Sequence, residues 1–244
     1  MSMLFKPVIL WTDALIYLLV MAVLAFVWYV RRNEHMLAPW RRVGHSASGM
    51  AALTVLVFFI AIGLLDTVHF RPAVENSGNS EKVYSVEVLS LLDVIAAPLR
   101  TRVEKTYSAP FAAHLYARET IELPDGGQVR EFPRLQFGGA HLQDPDVQLA
   151  ADVAERAAAG AARGFLGWCV LVVLLSALLA RRDNARLLPT LSAIRRGATE
   201  IPWNAVLVTL VLILLLLGAA LALSTHYHIF GTDKVGQDVF YQSL

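Results

Sequence analysis

The stretch from Asn204 to Ser224 reads NAVLVTLVLILLLLGAALALS, with hardly a polar side chain in it. About 20 consecutive apolar residues are enough to cross the hydrocarbon core of a bilayer as a helix. Three further apolar runs, at 13–30, 48–68 and 164–180, have the same character. The whole chain of 244 residues is 56% hydrophobic and 17% charged, which is typical of a multi-span membrane protein with a modest water-exposed part.

Arginines set the expected orientation of these four spans. Basic residues in short loops favour the cytoplasmic side of a membrane. Both short loops between spans are rich in arginine, so we expect them in the cytoplasm, with both ends of the chain and residues 71–163 outside. The first run could also be a signal peptide, but its length and the arginines after it favour a retained span. The loop arginines are Arg31, Arg32, Arg41, Arg42, Arg181, Arg182, Arg186, Arg195 and Arg196.

The polar side chains inside the spans are few. Thr54, Ser176 and Thr209 are the main ones, and we interpret them as packing contacts or bonds to the preceding helical turn rather than as an ion path. The lone Cys169 excludes an intramolecular disulfide and is interpreted as a small apolar residue. Gly218, with two alanines after it, is expected to let neighbouring helices approach closely.

Residues 71–163 form the one sizeable polar stretch and are predicted to be a small α+β domain. A linker over 72–82 is followed by apolar residues at helical spacing, which predict a helix over 83–102 that Pro98 divides or kinks. The stretches 116–123 and 128–135 flank a Pro-Asp-Gly-Gly sequence and predict a β-hairpin. Asp144 followed by Pro145 predicts the start of a helix that continues into the third span.

Catalytic patterns are weak. Ser108 and His114, with Asp93 or Asp125, supply the residue types of a hydrolase triad, but no Gly-x-Ser-x-Gly sequence accompanies them. The chain also lacks a Gly-x-x-x-x-Gly-Lys-Ser/Thr sequence for binding ATP phosphates. We therefore predict that the chain is not an enzyme and binds no cofactor.

Metal and nucleic-acid binding are also disfavoured. His226 and His228 with Asp233 nearby are too few ligands for a convincing metal site, so none is predicted. The formal net charge of +1 argues against nucleic acid as a partner.

The tail after the fourth span reads HIFGTDKVGQDV from His228 to Val239. It resembles the signature that follows the first membrane helix of oligopeptide/dipeptide-type ABC importer permeases, roughly His-Pro-x-Gly-Thr-Asp-x-x-Gly-Arg-Asp-Val. Ile229 and Gln237 depart from that pattern. The residues that match are Gly231, Thr232, Asp233, Gly236 and Asp238.

These residues also predict a local structure. Gly231 and Gly236 allow positive φ at tight turns. Thr232 or Asp233 is expected to cap a short helix by accepting a backbone N–H bond. The local interpretation is a capped turn after a membrane span.

The resemblance covers about the last forty residues. It implies a membrane subunit of an ATP-driven importer for peptides or peptide-like solutes in a bacterial inner membrane. It also implies three partners besides the lipid bilayer: a second permease subunit, separate ATP-binding subunits and a solute-binding protein. Because the chain stops at Leu244, before the permease core would begin, we expect an N-terminal fragment with an unusual extension. The alternative is a non-transporting membrane scaffold or sensor whose outer domain binds a partner protein.

The predicted fold is a membrane all-α bundle of four transmembrane helices with a small α+β extracytoplasmic domain. Its expected parts are a two-helix hairpin at 1–70, the outer domain at 71–163, a second hairpin with its cytoplasmic loop at 164–224, and an outer-face segment at 225–244.

Overall fold

The computed structural model describes residues 5–74, 83–122 and 127–244. The chain divides into two compact units, one formed by Met1–Ile95 with Ser176–Thr209 and the other by Ala96–Leu175 with Leu210–Leu244. The helices in the described ranges are α1 Trp11–Arg32, α2 Glu34–Gly44, α3 Ala47–Asp66, α4 Leu91–Ile95, α5 Ala97–Thr101, α6 Pro145–Arg182, α7 Leu187–Arg196, α8 Trp203–Ser224 and α9 Val239–Gln242. The strands are β1 Phe5–Val8, β2 His69–Val74, β3 Val83–Tyr84, β4 Leu89–Ser90, β5 Glu119–Glu122 and β6 Gln128–Glu131.

Four helices, α1, α3, α6 and α8, are long and apolar enough to cross a membrane. They coincide with the four predicted spans, and the described chain is mostly helical with a few small sheets. The predicted outer segment 71–163 is divided between the two units, with residues up to Ile95 in the first and residues from Ala96 in the second.

In the first unit, the start of α1 and the end of α3 lie side by side. β1 pairs antiparallel with β2, from Phe5 opposite Pro72 to Val8 opposite His69. The buried Asp13 carboxylate accepts the Leu10 N–H at 2.9 Å and lies 3.0 Å from His69 Nδ1. These bonds place both helix ends on one side of the unit, as a transmembrane hairpin requires.

The helix predicted over 83–102 is wrong in its first half. β3 and β4 both pair antiparallel with β2. β2 ends at Val74, so residues 72–74 of the predicted linker are in fact strand. Helix begins at Leu91 because Ser90 and Asp93 exchange bonds, Ser90 Oγ accepting the Asp93 N–H and Asp93 Oδ2 accepting the Ser90 N–H. The division at Pro98 is confirmed, since α4 ends at Ile95 and Pro98 lies in the first turn of α5. The rest of that linker, 75–82, lies outside the described residues.

Two further predictions for the second unit are confirmed. β5 and β6 form the predicted antiparallel hairpin, with Glu119 opposite Glu131 and Glu122 opposite Gln128. Most of its predicted Pro-Asp-Gly-Gly turn lies outside the described residues. α6 starts at Pro145 and runs unbroken for 38 residues. At 1.5 Å per residue that is about 57 Å, so roughly half of α6 extends beyond a hydrocarbon core about 30 Å thick.

α6 and α8 approach each other backbone to backbone at glycines. A Cβ at Gly160 would overlap the Gly218 carbonyl oxygen, and a Cβ at Gly218 would overlap the Gly160 carbonyl oxygen. A Cβ at Gly164 would overlap the Leu214 carbonyl oxygen in the same way. The expected close approach at Gly218 is therefore confirmed, and it explains why an otherwise helix-weakening Gly160 stands in the middle of α6.

Gly160→Val should separate α6 from α8 and lower the thermal stability of the detergent-solubilised protein. Gly167→Val is the matched control, because it makes the same change in the same helix at a position with no atom within 4 Å of the added Cβ. Overpacking a close contact costs roughly 1–3 kcal/mol. Equal melting temperatures for the two variants would contradict the close contact.

Candidate functional site

The chain that follows α8 folds back into the second unit. Tyr227 is 2% exposed and packs with Leu142 and Leu223 in a small apolar core. Its hydroxyl donates to Asp152 Oδ2 at 2.6 Å. Burial and this hydrogen bond raise the pKa of the Tyr227 hydroxyl. The chain directly after α8 is thus attached to the first part of α6, where Asp152 lies.

The motif glycines have the backbone conformation expected of them. Gly231 has φ +76° and Gly236 has φ +77°, so the positive-φ prediction is confirmed. Gly236 accepts the Glu104 N–H at 2.8 Å with its carbonyl oxygen, and Gly231 lies against the backbone of Ser108. A Cβ at either glycine would overlap a backbone carbonyl oxygen, that of Ser108 or that of Glu104. These glycines allow the tail to lie directly on the segment around 104–109.

The predicted helix cap is assigned to the wrong residue. Asp238 is the cap: its Oδ1 accepts the N–H groups of Phe240 and Tyr241 at the start of α9. Asp233 instead closes the preceding turn by accepting the N–H groups of Val235 and Gln237. The reason is register, because Asp238 directly precedes the first helical residue whereas Asp233 lies five residues earlier.

Thr232 is also not a cap. It joins the tail to residues 106–108, its hydroxyl donating to the Thr106 carbonyl oxygen at 2.7 Å and to Ser108 Oγ at 3.1 Å. Its N–H donates to the Ser108 carbonyl oxygen.

The centre of the site is a buried cluster that we call the clamp, formed by Glu104, His228 and Asp238. His228 Nδ1 lies 2.6 Å from Asp238 Oδ2, and His228 Nε2 lies 3.3 Å from Glu104 Oε1. All three side chains are at most 3% exposed. Glu104 also accepts three backbone N–H groups, from Gln136, Phe137 and Gly138. The clamp therefore joins three separate parts of the chain.

Both nitrogens of the His228 ring face carboxylates, so the clamp is built to hold a positive charge. Burial opposes the charged ring, but the bonds to Asp238 and Glu104 outweigh it and raise the pKa of His228 to about 9. Burial also opposes a charged Glu104, but the bonds from His228 and three backbone N–H groups lower the pKa of Glu104 to about 2. With both ring nitrogens engaged, His228 is a structural cation rather than a proton-transfer group.

The clamp makes stability depend on pH in a defined direction. His228 has a pKa raised from 6.5 to about 9, so its stabilisation is complete below about pH 6.5 and is lost as the pH rises through 9. Glu104 has a pKa lowered from 4.5 to about 2, so its stabilisation is complete above about pH 4.5 and is lost as the pH falls through 2. We therefore expect the wild type to melt at a higher temperature than His228→Gln at pH 6.5. This difference in melting temperature should shrink as the pH rises from 6.5 to 9. A constant difference over that range would contradict a charged clamp.

A second polar cluster lies beside Tyr227. Asp152 Oδ2 accepts from Arg156 Nε at 2.6 Å and lies 2.9 Å from His141 Nε2. His226 Nε2 lies 3.0 Å from Arg156 Nη1. Burial and the Arg156 charge lower the pKa of the His226 imidazole, which favours the neutral ring as the acceptor of a hydrogen bond from the Arg156 guanidinium.

In the structure, the three residues weighed as metal ligands in the sequence analysis, His226, His228 and Asp233, have different partners. His226 belongs to the cluster around Asp152, His228 belongs to the clamp, and Asp233 bonds to backbone N–H groups and to Gln242. Among the described residues, no group of three or more His, Cys, Asp or Glu side chains has the arrangement of a metal site.

The possible hydrolase residues are not assembled into a triad by the contacts observed. The Ser108 hydroxyl is buried and accepts from Thr232, and His114 forms a β-bridge with Arg134. Asp93 lies in the other unit and bonds to Ser90, while Asp125 lies outside the described residues.

Of the polar residues within the spans, Thr54 and Thr209 donate to the carbonyl oxygens of Met50 and Ala205, one turn earlier, as expected. Ser176 is fully buried, and its hydroxyl has no partner among the described residues.

The clamp could be predicted only in part. His228 and Asp238 stand in the motif, but Glu104 is 124 residues before His228 and lies in a stretch without any recognisable pattern.

Comparison with known proteins identifies no relative, because no family model, no curated protein and no solved structure matches this chain.

Proposed function

We propose that the chain is a membrane-spanning subunit of an ATP-driven ABC importer for peptides or peptide-like solutes. The observation that carries the proposal is that the motif residues Gly231, Thr232, Asp233, Gly236 and Asp238 act together in one folded element. Gly231 and Gly236 supply positive φ, and Thr232, Asp233 and Asp238 supply the hydrogen bonds that close the turn and attach it.

The proposed role of the site is to position the chain that follows α8. The clamp and the Thr232 bonds hold the tail against residues 104–109, so the segment leaving α8 has a fixed path. The proposed partners are a second permease subunit, separate ATP-binding subunits and a solute-binding protein.

The proposal includes an orientation in a bacterial inner membrane, with the two arginine-rich loops in the cytoplasm. Single cysteines introduced into a Cys169→Ser background and treated with a membrane-impermeant thiol reagent in intact cells would test it. We expect labelling at Ser243→Cys and none at Ser46→Cys or Ser192→Cys, while permeabilised cells should label all three. Labelling of positions 46 and 192 alone in intact cells would reverse the orientation.

The proposed function is tested by measuring peptide uptake and by identifying the proteins that purify with this chain. Deleting the gene in its native host should reduce uptake of a labelled peptide mixture, and restoring the gene should recover it. The chromosomally tagged protein, extracted in mild detergent, should purify with an ATP-binding protein. Unchanged uptake together with a complex that contains no ATPase would overturn the importer and favour the scaffold or sensor.

A further inference from the structure

The segment between the first two spans is a helix, α2, whose side chains are all at least partly exposed. The residue Asn33 alone separates it from α1, and His45 and Ser46 separate it from α3. In the described part of the chain, no α2 residue is buried. The sequence analysis predicted only a short arginine-rich loop between these spans, whereas the structure has a helix of eleven residues there, with Pro39 inside it.

α2 has two chemically different faces. At 100° per residue, Met36, Trp40 and Val43 fall on one side of the helix. These three side chains form what we call the apolar face, and they are 37%, 58% and 46% exposed. Glu34 and Arg41 lie on the opposite side. A helix with one apolar and one basic face is suited to a membrane surface.

The charge around α2 is strongly positive. One carboxylate, Glu34, stands among four guanidinium groups that we call the arginine set: Arg31, Arg32, Arg41 and Arg42. At the end of α1, the Arg32 guanidinium lies 3.9 Å from the centre of the Trp28 ring, an arrangement typical of side chains at a membrane interface. Such a set complements the phosphates of anionic phospholipids.

The short connections decide between a lipid surface and a soluble partner. Both ends of α2 are tied within two residues to helices long and apolar enough to cross a membrane. An eleven-residue helix is only about 16 Å long, so it cannot rise far from the plane in which those two spans end. The face of α2 that meets the bilayer must be the apolar one, since the other face carries the charges.

We propose that α2 lies in the plane of the membrane surface, with its apolar face among the acyl chains and the arginine set binding anionic phospholipid headgroups. The partner is the bilayer itself, and its anionic lipids are enriched around this helix. Each basic side chain at an anionic surface strengthens binding by a factor on the order of five. The inference is independent of whether the protein transports anything.

Depth is the first test. Nitroxide labels at Val43→Cys or Arg42→Cys in the Cys169→Ser protein, reconstituted in vesicles, are compared for collision with oxygen, which concentrates in lipid, and with a water-soluble nickel chelate. We expect position 43 to favour oxygen and position 42 to favour nickel. Ala38→Cys, on the charged side, is a second water-facing control. Equal nickel accessibility at positions 42 and 43 would overturn insertion of the apolar face.

Lipid preference is the second test. A protein with Trp40 as its single tryptophan is reconstituted with brominated phosphatidylglycerol or brominated phosphatidylcholine at the same mole fraction. We expect at least about twofold stronger quenching by the anionic lipid, reduced in high salt and in Arg41→Gln/Arg42→Gln. Arg195→Gln/Arg196→Gln removes the same charge from α7 and should leave the ratio unchanged. Equal quenching by the two lipids in the wild-type background would overturn headgroup binding, and quenching by neither would overturn the membrane position and favour an acidic protein partner.

Discussion

Glu104→Ala should lower the melting temperature of the detergent-solubilised protein by about 6–20 °C. Removing one partner of a buried ion pair costs roughly 3–5 kcal/mol because the other charge is left uncompensated. Each kcal/mol corresponds to about 2–4 °C in a protein of this size. The substitution also leaves the N–H groups of Gln136, Phe137 and Gly138 without the carboxylate that accepts them.

Glu119→Ala is the matched control for this change. Its carboxylate pairs with Lys105 at 2.6 Å, but the lysine side chain is 69% exposed. Surface pairs contribute about 0–1 kcal/mol, so this variant should melt close to the wild type. Glu104→Gln removes the charge but keeps an acceptor for backbone N–H groups. Its melting temperature should therefore lie between those of Glu104→Ala and Glu119→Ala. Equal melting temperatures for Glu104→Ala and Glu119→Ala would show that the clamp does not hold the unit together.

The membrane-crossing part of this fold is predictable because its signal is local and redundant. Any window within the run from Asn204 to Ser224 is apolar enough to predict a membrane span. The bounds of α8 are accordingly within a residue of the predicted ones. The start of α6 is equally local, because Pro145 is favourable only in the first turn of a helix. The β-hairpin follows from its turn residues for the same reason.

The features that the sequence analysis missed depend on contacts between residues far apart in the chain. β3 and β4 are two residues each, and only their pairing with β2 makes them strands. Glu104 has no sequence neighbour that hints at His228, since their contact closes a loop of 124 residues. Burial and long-range pairing override weak local propensity, so such contacts come only from the three-dimensional structure.

The two departures from the permease pattern each have a local contact. Ile229, where the pattern has proline, packs against the core around Leu142 and Tyr227. Gln237, where the pattern has arginine, accepts a bond from the Gln242 side chain within the same turn. Both side chains therefore fit the folded tail.

Gly236→Val should detach the tail from residues 104–109. The position has φ +77°, where a β-branched side chain is strongly disfavoured, and its Cβ would overlap the Glu104 carbonyl oxygen. Backbone strain of about 1–3 kcal/mol adds to an overpacking cost of about 1–3 kcal/mol. Because the displaced atom belongs to Glu104, the substitution should also break the clamp from a distance.

The His228 ring reports on that break directly. In the wild type its nitrogen NMR signals should stay those of a protonated imidazole to about pH 9, whereas in Gly236→Val the ring should titrate near its ordinary value of 6.5. Asp233→Ala removes turn bonds without placing an atom against Glu104, so it should lower the melting temperature less than Gly236→Val does and should leave His228 protonated. Gly167→Val controls for added bulk in open space. If Gly236→Val kept both the wild-type melting temperature and a protonated His228, the glycine would not be what allows the tail to dock, and the motif would lose the mechanism assigned to it.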